Sequence, residues 1–422
     1  MPSVCFYFQV HQPFRIRRYS FFDIGNDPFY EDDEKNRAVL NKVSDKCYIK
    51  TNNKMLELIK RHKGKFRISY SLSGTAIEQF EMYRPDVLES FAALAKTGCV
   101  EFLSETYYHS LAYVASRGEK EFKQLASPKE FVRQIEKHAE KIKKHFGQVP
   151  KVFRNTELIY RNDLAAFVEK MGYKGILCEG VDRLLGTRTP NFVYKPKGTK
   201  KIKALLKNYS LSDDIAFRFS DQKWSEWPLK ADTFASWVHR VAGNGEVVNL
   251  FMDYETFGEH QWESTGIFDF LDHLPAEIMK HKDFNFMTPS EVIDAYPARD
   301  EYDCPDFTSW ADAERDLSAW LSNSIEKEAM SRIYSLEKKV MDTGNKDLID
   351  TWGKLQTSDH FYYMCTKFWS DGDVHKYFSP YDSPYEAYIY FMNVFSDFEM
   401  KLNKLSTGVK VKKKVVKKEK VM

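Results

Sequence analysis

The sequence predicts an α/β protein, an incomplete (β/α)7 barrel followed by an α-helical domain, and three observations predict it. Short apolar runs of strand length recur through the first 300 residues with helical patterns between them, an alternation that implies parallel pairing. After about Pro297 the strand-like runs give way to long helical periodicities. The length of 422 residues exceeds what one hydrophobic core usually spans. We therefore expect a catalytic barrel over residues 1–300, a helical domain over 301–405 and a disordered basic tail over 406–422.

The strand-like runs are residues 4–10 (VCFYFQV), 66–72 (FRISYSL), 99–103 (CVEFL), 151–154 (KVFR), 174–178 (KGILC), 216–219 (AFRF) and 247–252 (VVNLFM). Seven such units suit a barrel. Between the third and fourth, Ser127-Pro128-Lys129-Glu130 reads as a capping box with Pro at the first helical position. It opens a helix with Phe131, Ile135, Ala139, Ile142 and Phe146 on one face, ended by Gly147. A second helix spans 162–171 and stops at Gly172, and an edge strand is expected at 284–287. Farther on, Leu317, Trp320, Leu321, Ile325 and Ala329 fall on one helical stripe, and Phe361, Met364, Cys365, Phe368 and Trp369 on another.

Composition narrows the function classes. Hydrophobic residues at 43% and charged residues at 29% are the balance of a globular protein. The net charge of +2 conceals a tail with seven lysines after Val409, so the body is mildly acidic and has no nucleic-acid footprint. Six scattered cysteines form no C-x-x-C and no zinc-spaced pair, and read as buried, reduced thiols. There is no signal-peptide pattern and no apolar run of membrane-spanning length, so a cytoplasmic protein without membrane contact is expected. No nucleotide-binding glycine motif and no G-x-S-x-G elbow occurs, so no cofactor and no serine-hydrolase chemistry is expected. Aromatics are abundant, with 32 Phe, 24 Tyr and 8 Trp; most must be core, and some could stack on sugar faces. Composition sets no oligomeric state.

Polar residues follow the strands: His11-Gln12-Pro13 after the first, Glu105 and His109 after the third, Glu157 after the fourth, Glu179 after the fifth, Asp253 through His260 after the seventh. In a β/α barrel all strand carboxyl ends open on one face, where active sites lie. Any one of these residues alone reads as a cap or a surface acid; five in register argue for a cleft. Glycoside hydrolysis needs two carboxyls flanking the scissile bond, and Glu157 and Asp253 suit it. A metal site is the competing use of His11, Glu105, His109, Glu157, Asp253 and His260, as in a polysaccharide deacetylase, but no H-x-x-x-H, H-E-x-x-H or H-x-D triplet occurs. Trp262, following the Asp253 loop, is the best stacking platform among Trp224, Trp227 and Trp262.

At this point the chain resembles glycoside hydrolase family 57, in its α-amylase branch. Five short regions carry the resemblance in order. They are His11-Gln12-Pro13; residues 101–109 (EFLSETYYH); residues 153–160 (FRNTELIY); residues 251–260 (FMDYETFGEH); and residues 357–363 (TSDHFYY). The resemblance covers nearly the whole chain up to about Leu405. It implies an incomplete (β/α)7 barrel, retention at the anomeric carbon, no required metal, and an α-1,4-glucan such as starch, glycogen or maltooligosaccharide as substrate. It further implies Glu157 as nucleophile and Asp253 as general acid/base. His11, Gln12, Glu105, His109, Arg154, Glu255, His260, Trp262 and Asp359 are the expected substrate contacts. The same site would serve 4-α-glucanotransfer; a non-catalytic glucan-binding protein is the reading from a different class.

Overall fold

The computed structural model describes residues 2–118, 123–367 and 374–419, the side chains of 374, 375 and 406–419 excepted. In chain order the described strands are β1 (Ser3–Val10), β2 (Ile68–Leu72), β3 (Val100–Phe102), β4 (Val152–Arg154), β5 (Gly175–Glu179), β6 (Val193–Pro196), β7 (Lys203–Lys207), β8 (Val247–Asp253), β9 (Asn285–Phe286) and β10 (Asp300–Tyr302). One sheet runs β3-β2-β1-β8, with β9 added against the first residues of β1; the other runs β10-β6-β7-β5-β4. Every pairing is parallel except β6 with β7.

Two seams join the sheets. Ser104 bridges Phe153, its N–H reaching Val152 O at 3.0 Å while its carbonyl accepts from Arg154 N at 2.8 Å. At the other seam Asn208 N donates to Asn249 O at 2.9 Å, and the Asn249 side chain donates to Leu206 O at 2.8 Å. The ring is therefore β1-β2-β3-β4-β5-β7-β8, a (β/α)7 barrel with two short seams, and helices follow its strands.

β1 is buried along its whole length, as a parallel strand of Val, Phe and Tyr covered on both faces must be. Because side chains alternate along a strand, β1 sends Val4, Phe6, Phe8 and Val10 outward into a core shared with the helices. Cys5 and Tyr7 go inward, where they meet Leu103, Val152, Leu177, Leu205, Val247 and Phe251. All six cysteines are buried free thiols, and no helix among the described residues is long and apolar enough to cross a membrane.

Several local expectations are corrected. The sixth barrel strand is β7, whereas residues 216–219 lie in a turn of π-helix over Asp214–Arg218 and its end. The lysines at both ends of β7 disguised it. Lys203 Nζ donates to the carbonyls of Ile293 and Tyr296 at 2.5 and 2.6 Å, and buried Lys207 pairs with Asp213. The expected helix is present at Pro128–Phe146, but without a capping box: Ser127 N donates to Glu337 at 2.5 Å, and the Glu130 carboxylate accepts from Arg133 and Gln134. The Leu317–Ala329 stripe is two helices, Ser318–Leu321 and Ser324–Ser335, because Asn323 and Glu326 form a reciprocal cap between them. Phe368 and Trp369 lie outside the described residues. The last helix spans Pro384–Glu419; lysine is a good helix former.

The chain divides into two compact units. The first, Met1–Gln12, Arg37–Tyr107 and Ile135–Asp316, holds all ten strands. The second, Pro13–Asn36, Tyr108–Gln134 and Leu317–Met422, contains the C-terminal helices. Two of its segments leave the first unit just beyond the carboxyl ends of β1 and β3, where βα loops tolerate insertions.

Candidate active site

Alternation determines which side chains reach the carboxyl end of the barrel interior. Following each inward row to its last member gives Gln9 after Cys5 and Tyr7, Glu105 after Leu103, and Arg154 after Val152. It likewise gives Glu179 after Leu177, Lys207 after Leu205, and Asp253 after Val247 and Phe251. On β2 the outward residues are Ile68, Tyr70 and Leu72, so Ser71 completes the layer. One polar side chain per strand closes the mostly apolar inner core at this end.

Three of these groups, Gln9, Ser71 and Glu105, are hydrogen-bonded together with Tyr7 below them. Tyr7 OH and Ser71 Oγ donate to Gln9 Oε1 at 2.7 and 2.8 Å, and Gln9 Nε2 donates to Glu105 Oε1 at 3.1 Å. The Glu105 N–H donates to Nδ1 of His138 at 3.3 Å, and burial holds that imidazole neutral by lowering its pKa. Burial pushes the Tyr7 hydroxyl well above the usual tyrosine range; the Arg154 charge pulls it down, and Glu105 and Asp253 push it up. Glu105, Arg154 and Asp253, remote in sequence, thus lie within electrostatic reach of one hydroxyl.

Beyond β4 the chain makes an unusual turn. Glu157 has φ 55° and ψ 28°, and Leu158 has φ 49°. A non-glycine residue in this left-handed region costs about 1 kcal/mol or more and needs its surroundings to hold it. Leu158 N donates to Asn155 O at 3.0 Å, Ile159 N to Thr156 O at 2.9 Å, and Asn155 Nδ2 to Ile159 O at 3.0 Å. The result buries Leu158 in the inner core and leaves Glu157 half-exposed. Its Oε2 accepts from Trp310 Nε1 at 2.7 Å.

Arg154 is fully buried, its guanidinium carbon 4.9 Å from the Trp310 ring centre and 6.0 Å from that of Tyr7. Its three nitrogens have no hydrogen-bond partner among the described protein groups. Beside it, Lys207 Nζ lies 3.0 Å from Asp213, 3.7 Å from Glu179 and 5.4 Å from the Trp310 ring centre. Burial raises Glu179 to about 6, with Lys207 and Arg315 opposing.

At the end of β8, Asp253 is half-exposed behind six buried residues. Glu255 is buried and accepts from Tyr48 OH, which in turn accepts from Gln12 Nε2 at 3.0 Å. Burial, then the Asp253 charge, raises Glu255 to about 8. Burial lowers His260 to about 4, so its ring is neutral. Glu259 pairs with Lys42, and with Lys46 at 3.8 Å. Trp262 stands 61% exposed with Lys46 Nζ 5.9 Å from its ring centre. His11, half-exposed at the end of β1, places Nδ1 2.7 Å from Ser73 Oγ. In the second unit, His109 also has a left-handed backbone at φ 51°; its carbonyl accepts from Ser358 N at 2.9 Å, which brings the His109 and Asp359 segments side by side.

Among the described residues, no three His, Cys, Asp or Glu side chains converge as a metal site requires. The sequence reading missed Tyr7, Gln9, Tyr48, Lys207 and Trp310. For Tyr7 and Gln9 the signal was available: polar atoms at alternate positions of a buried strand must bond to something inside.

Comparison with known proteins agrees with this architecture. The Glycosyl hydrolase family 57 model matches residues 5–305. A Methanocaldococcus jannaschii protein named "Putative alpha-amylase" is 41% identical over 414 residues, covering 95% of this chain and 85% of its own. The crystal structure of a GH57 branching enzyme from Thermococcus kodakaraensis has a TM-score of 0.69 at 16% identity, covering 97% of this chain and 92% of its own. A 4-alpha-glucanotransferase from Thermococcus litoralis has a TM-score of 0.62 at 17% identity, covering 85% of this chain; this chain spans only 56% of its length. The two structural likenesses establish the fold.

Proposed function

Because the chain belongs to glycosyl hydrolase family 57, we propose that it is a retaining hydrolase of α-1,4-glucans with Glu157 as nucleophile and Asp253 as general acid/base. One observation carries the reading. Of the carboxyl groups at the strand ends, Glu105, Glu179 and Glu255 are buried, whereas Glu157 and Asp253 are half-exposed. A group that must touch substrate has to be reachable, and these two are. The α-amylase specificity draws on the name of the 41% identical relative.

In the first step Glu157 attacks the anomeric carbon as the glycosidic C–O bond breaks, and the departing oxygen takes the proton of Asp253. Water, deprotonated by Asp253, then attacks from the side the leaving saccharide vacated, opposite the bond to Glu157, and releases that carboxylate; two inversions leave the configuration retained. Such a double displacement works with carboxyls about 5–5.5 Å apart. We assign sugar contacts to His11, whose ring is held by Ser73, and to the exposed Trp262 ring. Glu157→Gln and Asp253→Asn should each abolish turnover of maltooligosaccharides, with the α-anomer as the first product of the parent enzyme by NMR. Near-normal turnover in either variant, or a β-anomeric first product, rejects the mechanism. Chromatography of maltotriose products separates hydrolysis, which gives shorter sugars alone, from 4-α-glucanotransfer, which also gives longer ones.

A further inference from the structure

Residues 303–310 follow the catalytic turn closely. Asn162 N donates to Cys304 O at 3.0 Å, and the Asn162 side chain accepts from Cys304 N at 2.8 Å and donates to Asp303 at 2.7 Å. Tyr160 and Thr308 pair as an antiparallel bridge, each N–H reaching the other's carbonyl at 2.9 Å. Trp310 N then donates to Glu157 O at 3.2 Å, and its indole Nε1–H to Glu157 Oε2 at 2.7 Å. The segment is thus stitched to residues 157–162 at three successive levels, and its last level holds both the backbone and the carboxylate of Glu157. The ring is itself fixed, packed against the inner core and within reach of the Arg154 and Lys207 charges. Trp310 lies beyond the stretch that the family model matches.

We propose that Trp310 is a positioning residue for Glu157: its indole N–H holds Oε2 and so fixes the orientation of the carboxylate, and favours the ionised form. The inference rests on Glu157 being the nucleophile. An indole N–H is a donor only, so it stabilises the carboxylate and offers nothing to a protonated acid's O–H. An immobile donor also removes a rotation that would otherwise have to be frozen during attack. The left-handed turn at Glu157 needs such a support, because the backbone there holds its place at a cost.

The test is Trp310→Phe in the full chain, which keeps a ring in the same place and removes the N–H; Trp310→Tyr serves as a second variant if the first does not fold. We expect kcat to fall roughly tenfold to a hundredfold, as for loss of one hydrogen bond to a charged group, with KM little changed. Losing the donor makes Glu157 easier to protonate, so the acidic limb of the kcat/KM profile should move up by about one pH unit. A kcat within twofold of the parent, or a fall in kcat with the acidic limb unmoved, would overturn the proposal; the second result would mean a merely structural ring. Glu157→Ala with sodium azide tests the premise separately. Azide should displace the leaving saccharide and give a glycosyl azide of inverted configuration. If Glu157→Ala turns over normally, the nucleophile assignment fails whatever Trp310→Phe does; if it is dead and rescued by azide while Trp310→Phe behaves like the parent, only the role of Trp310 fails.

Discussion

Glu255 should make the stability of this protein fall as pH rises from mildly acidic to mildly alkaline. Its side chain is buried, accepts a hydrogen bond from Tyr48, and sits in the field of Asp253. Burial and then that charge lift its carboxyl from 4.5 to about 8. At pH 7 the folded protein therefore keeps Glu255 protonated in a ratio of about ten to one, while the unfolded chain has already ionised it. Wherever the folded state binds more protons than the unfolded one, stability decreases with pH. The contribution is fully present below about pH 4.5 and is lost progressively until pH passes about 8. Each pH unit across that window is worth about 1.4 kcal/mol, about 5 kcal/mol in all as an order of magnitude. Glu255→Gln keeps an acceptor for the Tyr48 hydroxyl and cannot ionise. Its unfolding midpoint relative to the parent, by urea or heat, should therefore rise steadily from pH 5 to pH 8 and level off above that. A constant offset between amide and acid is immaterial; the slope is the observable. A difference that stays flat from pH 5 to pH 9 would refute the reasoning and mean that Glu255 is ionised in the folded protein.

Two further outcomes follow from the same electrostatics and exposure. Lys207→Met leaves Glu179 and Asp213 without the buried ammonium that lies 3.7 and 3.0 Å from them. It should cost about 3–5 kcal/mol at pH 8 and distinctly less at pH 5, where Glu179 can take up a proton, as read by urea unfolding at the two pH values. Trp262→Ala removes an exposed ring from the loop that follows Asp253. It should raise KM for maltooligosaccharides severalfold at nearly constant kcat, and steady-state kinetics would expose a wrong assignment as an unchanged KM.

What the sequence made legible depended on how many faces of each element are buried. β1 and β8 are buried on both faces and mostly apolar, so hydrophobicity marks them despite Ser3 and Asn249, and the polar residues at or just beyond their ends mark the candidate site. β7 escaped because its flanking lysines are folded inward and bonded, and a sequence registers lysine as surface. The converse error came from residues 216–219, where alternating aromatics look like strand although Phe217 is 66% exposed on a π-helical turn. Glu157 and Asp253 could be singled out because each comes within three residues of an apolar run, Asp253 as the last residue of β8 and Glu157 three residues beyond β4. Trp310 could not, because its meaning depends on a pairing between Tyr160 and Thr308 that no local pattern announces. The helical unit was legible as helical, but not its recruitment of Pro13–Asn36 and Tyr108–Gln134, since compactness is a property of contacts and not of periodicity.

The two half-exposed carboxyls are held in place by different means, and this bears on how robust each is. Asp253 belongs to a strand paired with β1 over seven positions, Ser3 opposite Val247 through Gln9 opposite Asp253. A slip of one residue would turn every inward side chain of β8 outward, expelling Phe251 from the core along with Asp253, so the register that seals the barrel also aims the acid. Glu157 has no such security. It stands three residues beyond β4 on a left-handed turn, anchored by the burial of Leu158 and by the segment that brings in Trp310. Strand register can orient a side chain only to within the pleat, while a strained turn with a fixed donor can hold one carboxylate oxygen in one place. In the proposed mechanism, Glu157 forms a covalent bond to a single carbon and so needs the second kind of control more than Asp253, which passes a proton.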